Sequence, residues 1–109
     1  MLLAEEDGQV LGLTICGECR DADAGDHVGE VRMMFAAAGA WGRGVGGALM
    51  AAALDDLRER GYSEAMVWSF ADNERANRFY ESRGFERDGG EKTEGAWAGL
   101  LEVRYRRSL

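Results

Sequence analysis

Residues 41–57 read WGRGVGGALMAAALDDL, and the parsing of that stretch decides the fold. Gly42, Gly44, Gly46 and Gly47 crowd the start of an apolar stripe, Val45, Leu49, Ala53 and Leu57, with Met50 and Leu54 beside it. Fourth-residue spacing of that kind is one face of an amphipathic helix, which Gly61 closes. Just upstream, Val31, Met33 and Phe35 alternate with Glu30, Arg32 and Met34, so this strand presents two faces. Downstream, EAMVWSF (64–70) is a buried strand and ADNERANRFYESRGF (71–85) a second helix, N-capped by Asp72 or Asn73 and stopped at Gly84. A strand, a helix and a strand in succession imply a parallel pair joined by a crossover.

Toward the N-terminus, Asp7-Gly8 between Leu2–Ala4 and Val10–Ile15 predicts a tight hairpin. The segment GECRDADAGDHVG (17–29) is polar and charged, and reads as a loop. At the other end Leu101, Val103 and Tyr105 alternate with Glu102, Arg104 and Arg106, which predicts a half-exposed last strand with Arg104, Arg106 and Arg107 on a solvated face.

With 109 residues, 46% of them hydrophobic, the chain can build one core and one domain, 1–109. Thirteen basic against twenty acidic residues leave a formal charge of −7, which argues against a general polyanion binder and against nucleic acid as a partner. Lys92 is the single lysine, so Schiff-base chemistry is improbable. No run approaches the length of a membrane span, and Met1–Asp7 lacks the features of a signal peptide; the expectation is a soluble, cytoplasmic protein without a membrane partner. Cys16 and Cys19, with the lone His27, fall short of the paired ligand spacing of a structural zinc; reduced, incidental thiols and no metal are expected.

The glycine-rich turn is the feature with chemistry in it. Glycines let backbone N–H groups approach an anion at the positive end of a helix, although they also permit close helix packing. A nucleoside-triphosphate loop is excluded, because no lysine follows these glycines. Gly42, Gly44 and Gly47 match a dinucleotide fingerprint, but the nearest acidic residue that could close the next strand, Asp72, lies too far on.

The turn Trp41-Gly42-Arg43-Gly44-Val45-Gly46 resembles the Q/R-x-x-G-x-G/A signature of the GNAT superfamily of acyl-CoA N-acyltransferases, with Trp41 in place of the usual Gln or Arg. A second frame, Arg43-x-x-Gly46-x-Ala48, sits two residues late relative to the helix. Asn73, Ala76, Phe79, Tyr80, Gly84 and Phe85 reproduce the family's later motif N-x-x-A-x-x-F-Y-x-x-x-G-F residue for residue.

The resemblance implies an α/β (α+β) fold: a GNAT-like mixed, mostly antiparallel sheet with a central parallel β-α-β crossover and flanking helices. It implies an N-acetyltransferase moving an acetyl group from acetyl-CoA directly to a primary amine, carried by a small molecule or peptide. Trp41, Gly42, Arg43, Gly44, Val45, Gly46 and Gly47 would hold the pyrophosphate and Asn73 the pantetheine arm. A backbone N–H at Met34, Phe35 or Ala36 would meet the acyl carbonyl. Tyr80 would be the general acid, since a phenol with a pKa near ~10 is protonated at neutral pH; its spacing also permits plain core packing beside Ala76 and Phe79. Asn73 is equally an N-cap. Glu30 is the candidate base by likeness to histone-modifying members, against a solvated edge charge or a water in that role. Trp68 and Trp97 either fill the core or line the acceptor site.

Members of the family usually begin with a strand and two helices that this sequence lacks. The strand at Met1 would then be an exposed sheet edge, so either the chain is truncated or a second copy covers it as a homodimer. The rival readings are a non-catalytic acyl-CoA-binding or regulatory module and a dinucleotide-binding fragment.

Overall fold

The computed structural model describes residues 1–40, 43–93 and 99–109. In these, β1 (Leu2–Glu6) and β2 (Gln9–Glu18) form the hairpin at Asp7-Gly8, where both residues take positive φ. Strand β3 (Val28–Ala36), helix α1 (Val45–Glu59) and strand β4 (Glu64–Phe70) make the crossover, followed by helix α2 (Glu74–Ser82), β5 (Glu86–Lys92) and β6 (Glu102–Ser108). The strands hydrogen-bond in one sheet in the order β1-β2-β3-β4-β6-β5, antiparallel except for β3 and β4. No helix among the described residues is long and apolar enough to cross a membrane.

The apolar stripe of α1 is buried against the sheet. Met50, Ala53, Leu54 and Leu57 pack with Val31, Ala65, Val67, Val103, Tyr105 and Phe85, and Phe79 and Tyr80 of α2 close over the same core. A smaller cluster, Ala24, Val28 and Met66 with Cys19 and Trp68, contains β3 and β4 side chains offset by one position from those of the main core, and so lies on the other face of the sheet beneath the segment that joins β2 to β3.

Four features differ from the sequence expectation. The 17–29 stretch is a loop only in its middle: Gly17 and Glu18 pair with Glu30 and Gly29, and the lack of a side chain at Gly29 lets β3 pass close beneath Leu57. In β3, Cys16 pairs with Val31 but Ile15 with Met33, so Arg32 is an inserted residue. A bulge reverses the in–out phase beyond it. Val31 is buried while Met33 and Phe35, expected on its face, are exposed, and Met34 packs inward instead.

Strand β5 has no apolar alternation to announce it; ERDGGEK is a charged edge strand with a register shift between Arg87 and Glu91. Lastly, β6 is not half-exposed, because it lies between β4 and β5, and residues 102–105 are all buried. Arg104, expected on a solvated face, is 7% exposed and donates to Asp21, Asp23 and Asp88.

Candidate active site

Strands β3 and β4 pair only through Val28–Glu30 and Glu64–Met66. Beyond those residues they part, and the bulge at Arg32 bends β3 away just where pairing stops. Between the parted strands and the two helices lies a cleft of about 590 Å³. Met34, Phe35 and Ala36 form its β3 wall, Gly44–Gly47 its α1 wall, and Asn73, Arg75, Ala76, Phe79, Tyr80 and Arg83 its α2 wall. It therefore opens at the carboxyl ends of two parallel strands, where open α/β sheets bind ligands.

Both helices present their N-termini there. Gly44 is the N-cap of α1, with φ +80°, and has no side chain with which to cap the first turn. The first bond of the helix is Ala48 N–H to Gly44 O, 3.0 Å, so the N–H groups of Val45, Gly46 and Gly47 have no acceptor within the helix. A Cβ on Gly44 would meet nothing within 4 Å, whereas Gly46 faces the Phe79 ring and Gly47 the Arg83 guanidinium. Glycine therefore serves two ends here: a left-handed cap at 44 and close approach of α2 side chains at 46 and 47. Arg83 in turn lies 5.2 Å from the centroid of Phe79, within cation–π range.

At the start of α2, Asn73 Oδ1 accepts from Ala76 N–H at 3.1 Å, so Asn73 caps the helix while lining the cleft. Asn77, which the sequence reading passed over, ties that helix to the end of β4. It accepts from Ser69 Oγ at 2.7 Å, and its amide donates to the carbonyls of Ala71 and Phe70. Arg75 and Arg83 were also passed over as cleft residues, their only signal being helical spacing from Asn73 and Tyr80, while Phe79, a member of the motif, was given no cleft role.

Tyr80 is half-buried and reaches both the cleft and the core. Its ring makes edge contacts with Phe79 and Phe85 and a tilted one with Tyr105, at centroid distances of 5.7, 6.0 and 5.9 Å. Burial pushes its phenol above the usual value near 10, so it stays protonated across the neutral range.

Glu30 does not line the cleft. It stands on β3 opposite Met66 of β4 and Gly17 of β2, one residue before Val31, and thus on the face away from α1. Burial is the main cause that raises its carboxyl above the ordinary value, with the negative charge of Asp21 adding to it and Arg32 and Lys92 opposing. Arg43 is also outside the cleft: its guanidinium is turned to Glu6 of β1, 2.6 Å away. Trp41 and Gly42 lie outside the described residues, as does Trp97.

The sulfurs of the two cysteines face different partners, Cys16 toward Asp56 Oδ2 at 3.4 Å and Cys19 toward the Met66 sulfur at 2.9 Å. Burial raises both thiols above their usual value, which disfavours the thiolate a nucleophile needs.

The chain is similar to known proteins over most of its length. It is 37% identical over 91 residues to a mycothiol acetyltransferase of Cellulomonas flavigena, covering 79% of this chain and 26% of that protein. It is 33% identical over 88 residues to an uncharacterized N-acetyltransferase of Archaeoglobus fulgidus, covering 80% of this chain and 60% of that one. The chain thus spans about a quarter of the length of the first relative and three-fifths of the second. The crystal structure of a ribosomal-protein-alanine N-acetyltransferase from Brucella melitensis superimposes with a TM-score of 0.83 at 27% identity, over 98% of this chain and 67% of that one. The model of the Acetyltransferase (GNAT) family matches residues 1–85, and with the mixed sheet and its parted parallel pair this places the chain in the acetyltransferase (GNAT) family.

Proposed function

We propose that the chain transfers an acetyl group from acetyl-CoA to a primary amine, using the cleft between β3, α1 and α2. The observation that carries the reading is the meeting of two helix N-termini and a protonated tyrosine on one cleft at the point where β3 and β4 part.

The cradle fits a pyrophosphate. The N–H groups of Val45, Gly46 and Gly47 end in the cleft at the positive end of α1, the space above Gly44 is clear, and Arg83 lies at Gly47. In this reading those amides, with Trp41 and Gly42, hold the phosphates through backbone groups. The Arg43 N–H is engaged by the Ala40 carbonyl at 3.2 Å, so Arg43 would contribute through its side chain, which Glu6 holds; an exposed pair of that kind is worth only ~0–1 kcal/mol and is readily exchanged. Asn73 fixes the start of α2 and lies along the pantetheine path. Backbone N–H groups at Met34–Ala36, on the β3 wall, are the donors for the developing oxyanion.

The bound thioester supplies an activated acyl group. Glu30 takes the proton from the ammonium of the acceptor, and its raised pKa brings it closer to the operating pH of a base. The amine nitrogen then bonds to the acyl carbon, the carbon–sulfur bond breaks, Tyr80 donates its proton to the departing thiolate, and the proton that the nitrogen sheds on becoming an amide returns through water to the Tyr80 oxygen. A small-molecule acceptor is in keeping with the names of the mycothiol acetyltransferases.

Thermal stability measured in parallel with acetyl-CoA, CoA and NAD tests the reading. A ligand at a hundred times its Kd stabilises by about 2.7 kcal/mol. A clear rise with both CoA species and none with NAD, followed by amine-dependent release of CoA, is the expected result. CoA binding without amine-dependent release would make the chain a non-catalytic acyl-CoA-binding module, and a rise with NAD alone would overturn the donor assignment.

A further inference from the structure

The face of the sheet away from α1 carries an arrangement that the transfer reaction as described leaves unused. Trp68 of β4 is held edge-on by Asp21, whose Oδ2 accepts from the indole N–H at 3.0 Å, and Asp21 is itself gripped by Arg104. The edge of the ring is thereby fixed, and the Arg104 guanidinium also lies over the ring, 5.5 Å from its centroid. The Nζ of Lys92 stands 4.1 Å from the centroid of that ring. Two other cations of this neighbourhood are neutralised, Arg104 by Asp21, Asp23 and Asp88, and Arg106 by Glu64 and Asp88, while Arg32, whose charge also acts on Glu30, donates to the Glu18 carbonyl. Lys92 makes no ion pair among the described residues; its ammonium is placed by the indole.

We propose that the indole face of Trp68, beside Glu30, is the seat for the ammonium group of the acceptor, and that Lys92 occupies this seat until the acceptor displaces it.

Glu30 and Trp68 share this face, because Glu30 is in register with Met66 and Trp68 follows two residues later along β4. Glu30 is close enough to Lys92 to feel its charge. An aromatic face below and a carboxylate alongside recognise an alkylammonium rather than a neutral or anionic group. Lys92 is suited to a displaceable role. It is the only lysine in the chain, it ends the edge strand β5, and its four-carbon stem moves without disturbing the backbone. Strand β3 links the seat to the cleft, running from Glu30 to Met34–Ala36 on the cleft wall. The acceptor would approach from the face opposite the helices and the acyl donor from the helix side, meeting where β3 and β4 part.

The inference rests on the transfer reading but is tested without it. The indole N–H signal of Trp68, assigned by its loss in Trp68→Phe, is followed in 15N-labelled protein during titration with n-butylammonium chloride and, separately, 1-butanol. A saturable shift is expected with the ammonium and none with the alcohol. In Lys92→Ala the ammonium should bind about fivefold more tightly, the size of a modest cation–π contact that no longer has to be displaced. An unmoved Trp68 signal, an equal response to butanol, or unchanged affinity in Lys92→Ala would overturn the proposal. If CoA still stabilises the protein in that case, the acyl-transfer reading stands without this seat; if CoA binding fails while the ammonium shift appears, the transfer reading falls and the seat remains.

Discussion

Gly29 and Leu57 approach so closely that a Cβ on the glycine would stand 2.6 Å from the Leu57 Cδ2. Leu57 is completely buried in the main core, so it has nowhere to yield. Gly29→Ala should destabilise the fold by about 1–3 kcal/mol through overpacking. Gly29 is also the middle residue of the short pairing of β3 with β4, and the loss should read as a fall in melting temperature of several degrees for each kcal/mol. Calorimetric unfolding of the variant checks this; an unchanged midpoint would mean that α1 is free to lift from the sheet.

Arg104 is the second structural keystone. A guanidinium this buried, bridging Asp21, Asp23 and Asp88, leaves three carboxylates facing one another when it is removed. Arg104→Met should cost on the order of 3 kcal/mol, as breaking a buried pair does. The pH dependence carries the same signature. Hydrogen bonding to Arg104 lowers the Asp23 carboxyl to about 2. A depressed carboxyl contributes stability that is fully present above its unfolded value near ~4 and is lost as the pH falls toward 2. Urea unfolding between pH 5 and 2 should therefore show a loss of stability in the parent that is shallower in Arg104→Met.

Both of these residues show where the sequence was readable and where it was not. The crossover was legible because α1 has an apolar stripe and β4 an unbroken apolar run, and periodicity reports both. The phase of β3 was not, because a single inserted residue, Arg32, reverses every side chain beyond it and leaves no compositional mark. Strand β5 was missed because its pairing to β6 needs only backbone groups and its side chains are charged. Arg104 reads as a surface residue in the sequence; the carboxylates that bury it come from 16, 81 and 83 positions away. In the cleft, Asn73, Phe79 and Tyr80 belong to one motif, whereas Arg83 becomes a cleft residue only through α2 packing over the glycines of α1.

Glu30 sets the acid side of the proposed reaction. Burial raises its carboxyl, so the unprotonated base is lost on acidification at a higher pH than for an ordinary glutamate. The rate should climb with pH through that raised value, and Glu30→Gln should remove this limb and lower kcat/KM by about a hundredfold at neutral pH. Binding of acetyl-CoA should be unaffected, since Glu30 lies outside the cleft. A pH–rate profile identical to that of the parent would transfer the role of base to water.

Gly44 separates the cradle from the fold. A side chain there meets no neighbour, so the cost of Gly44→Ala is the left-handed backbone alone, roughly 1–2 kcal/mol. Relief of that strain would turn the first amides of α1 away from the cleft. The expected result is a modest loss of stability with a disproportionate, tenfold or greater rise in the Kd for CoA, measured by calorimetric titration. Equal binding by the variant would show that the anion is held elsewhere.

Tyr80 is the sharpest test, because its two roles part on a single oxygen. Tyr80→Phe keeps the ring contacts with Phe79, Phe85 and Tyr105 and removes only the hydroxyl. A packing residue would show little change in rate, whereas a general acid should lose about a hundredfold or more in kcat, with KM for the acyl donor nearly constant. The pH profile adds an independent reading. An acid works while protonated, and burial raises this phenol above ~10, so the parent should hold its rate well into the alkaline range. An alkaline limb falling below that value would belong to another group. A donor thioester with a better leaving thiol should restore much of the rate of Tyr80→Phe, since less protonation is then required of the enzyme.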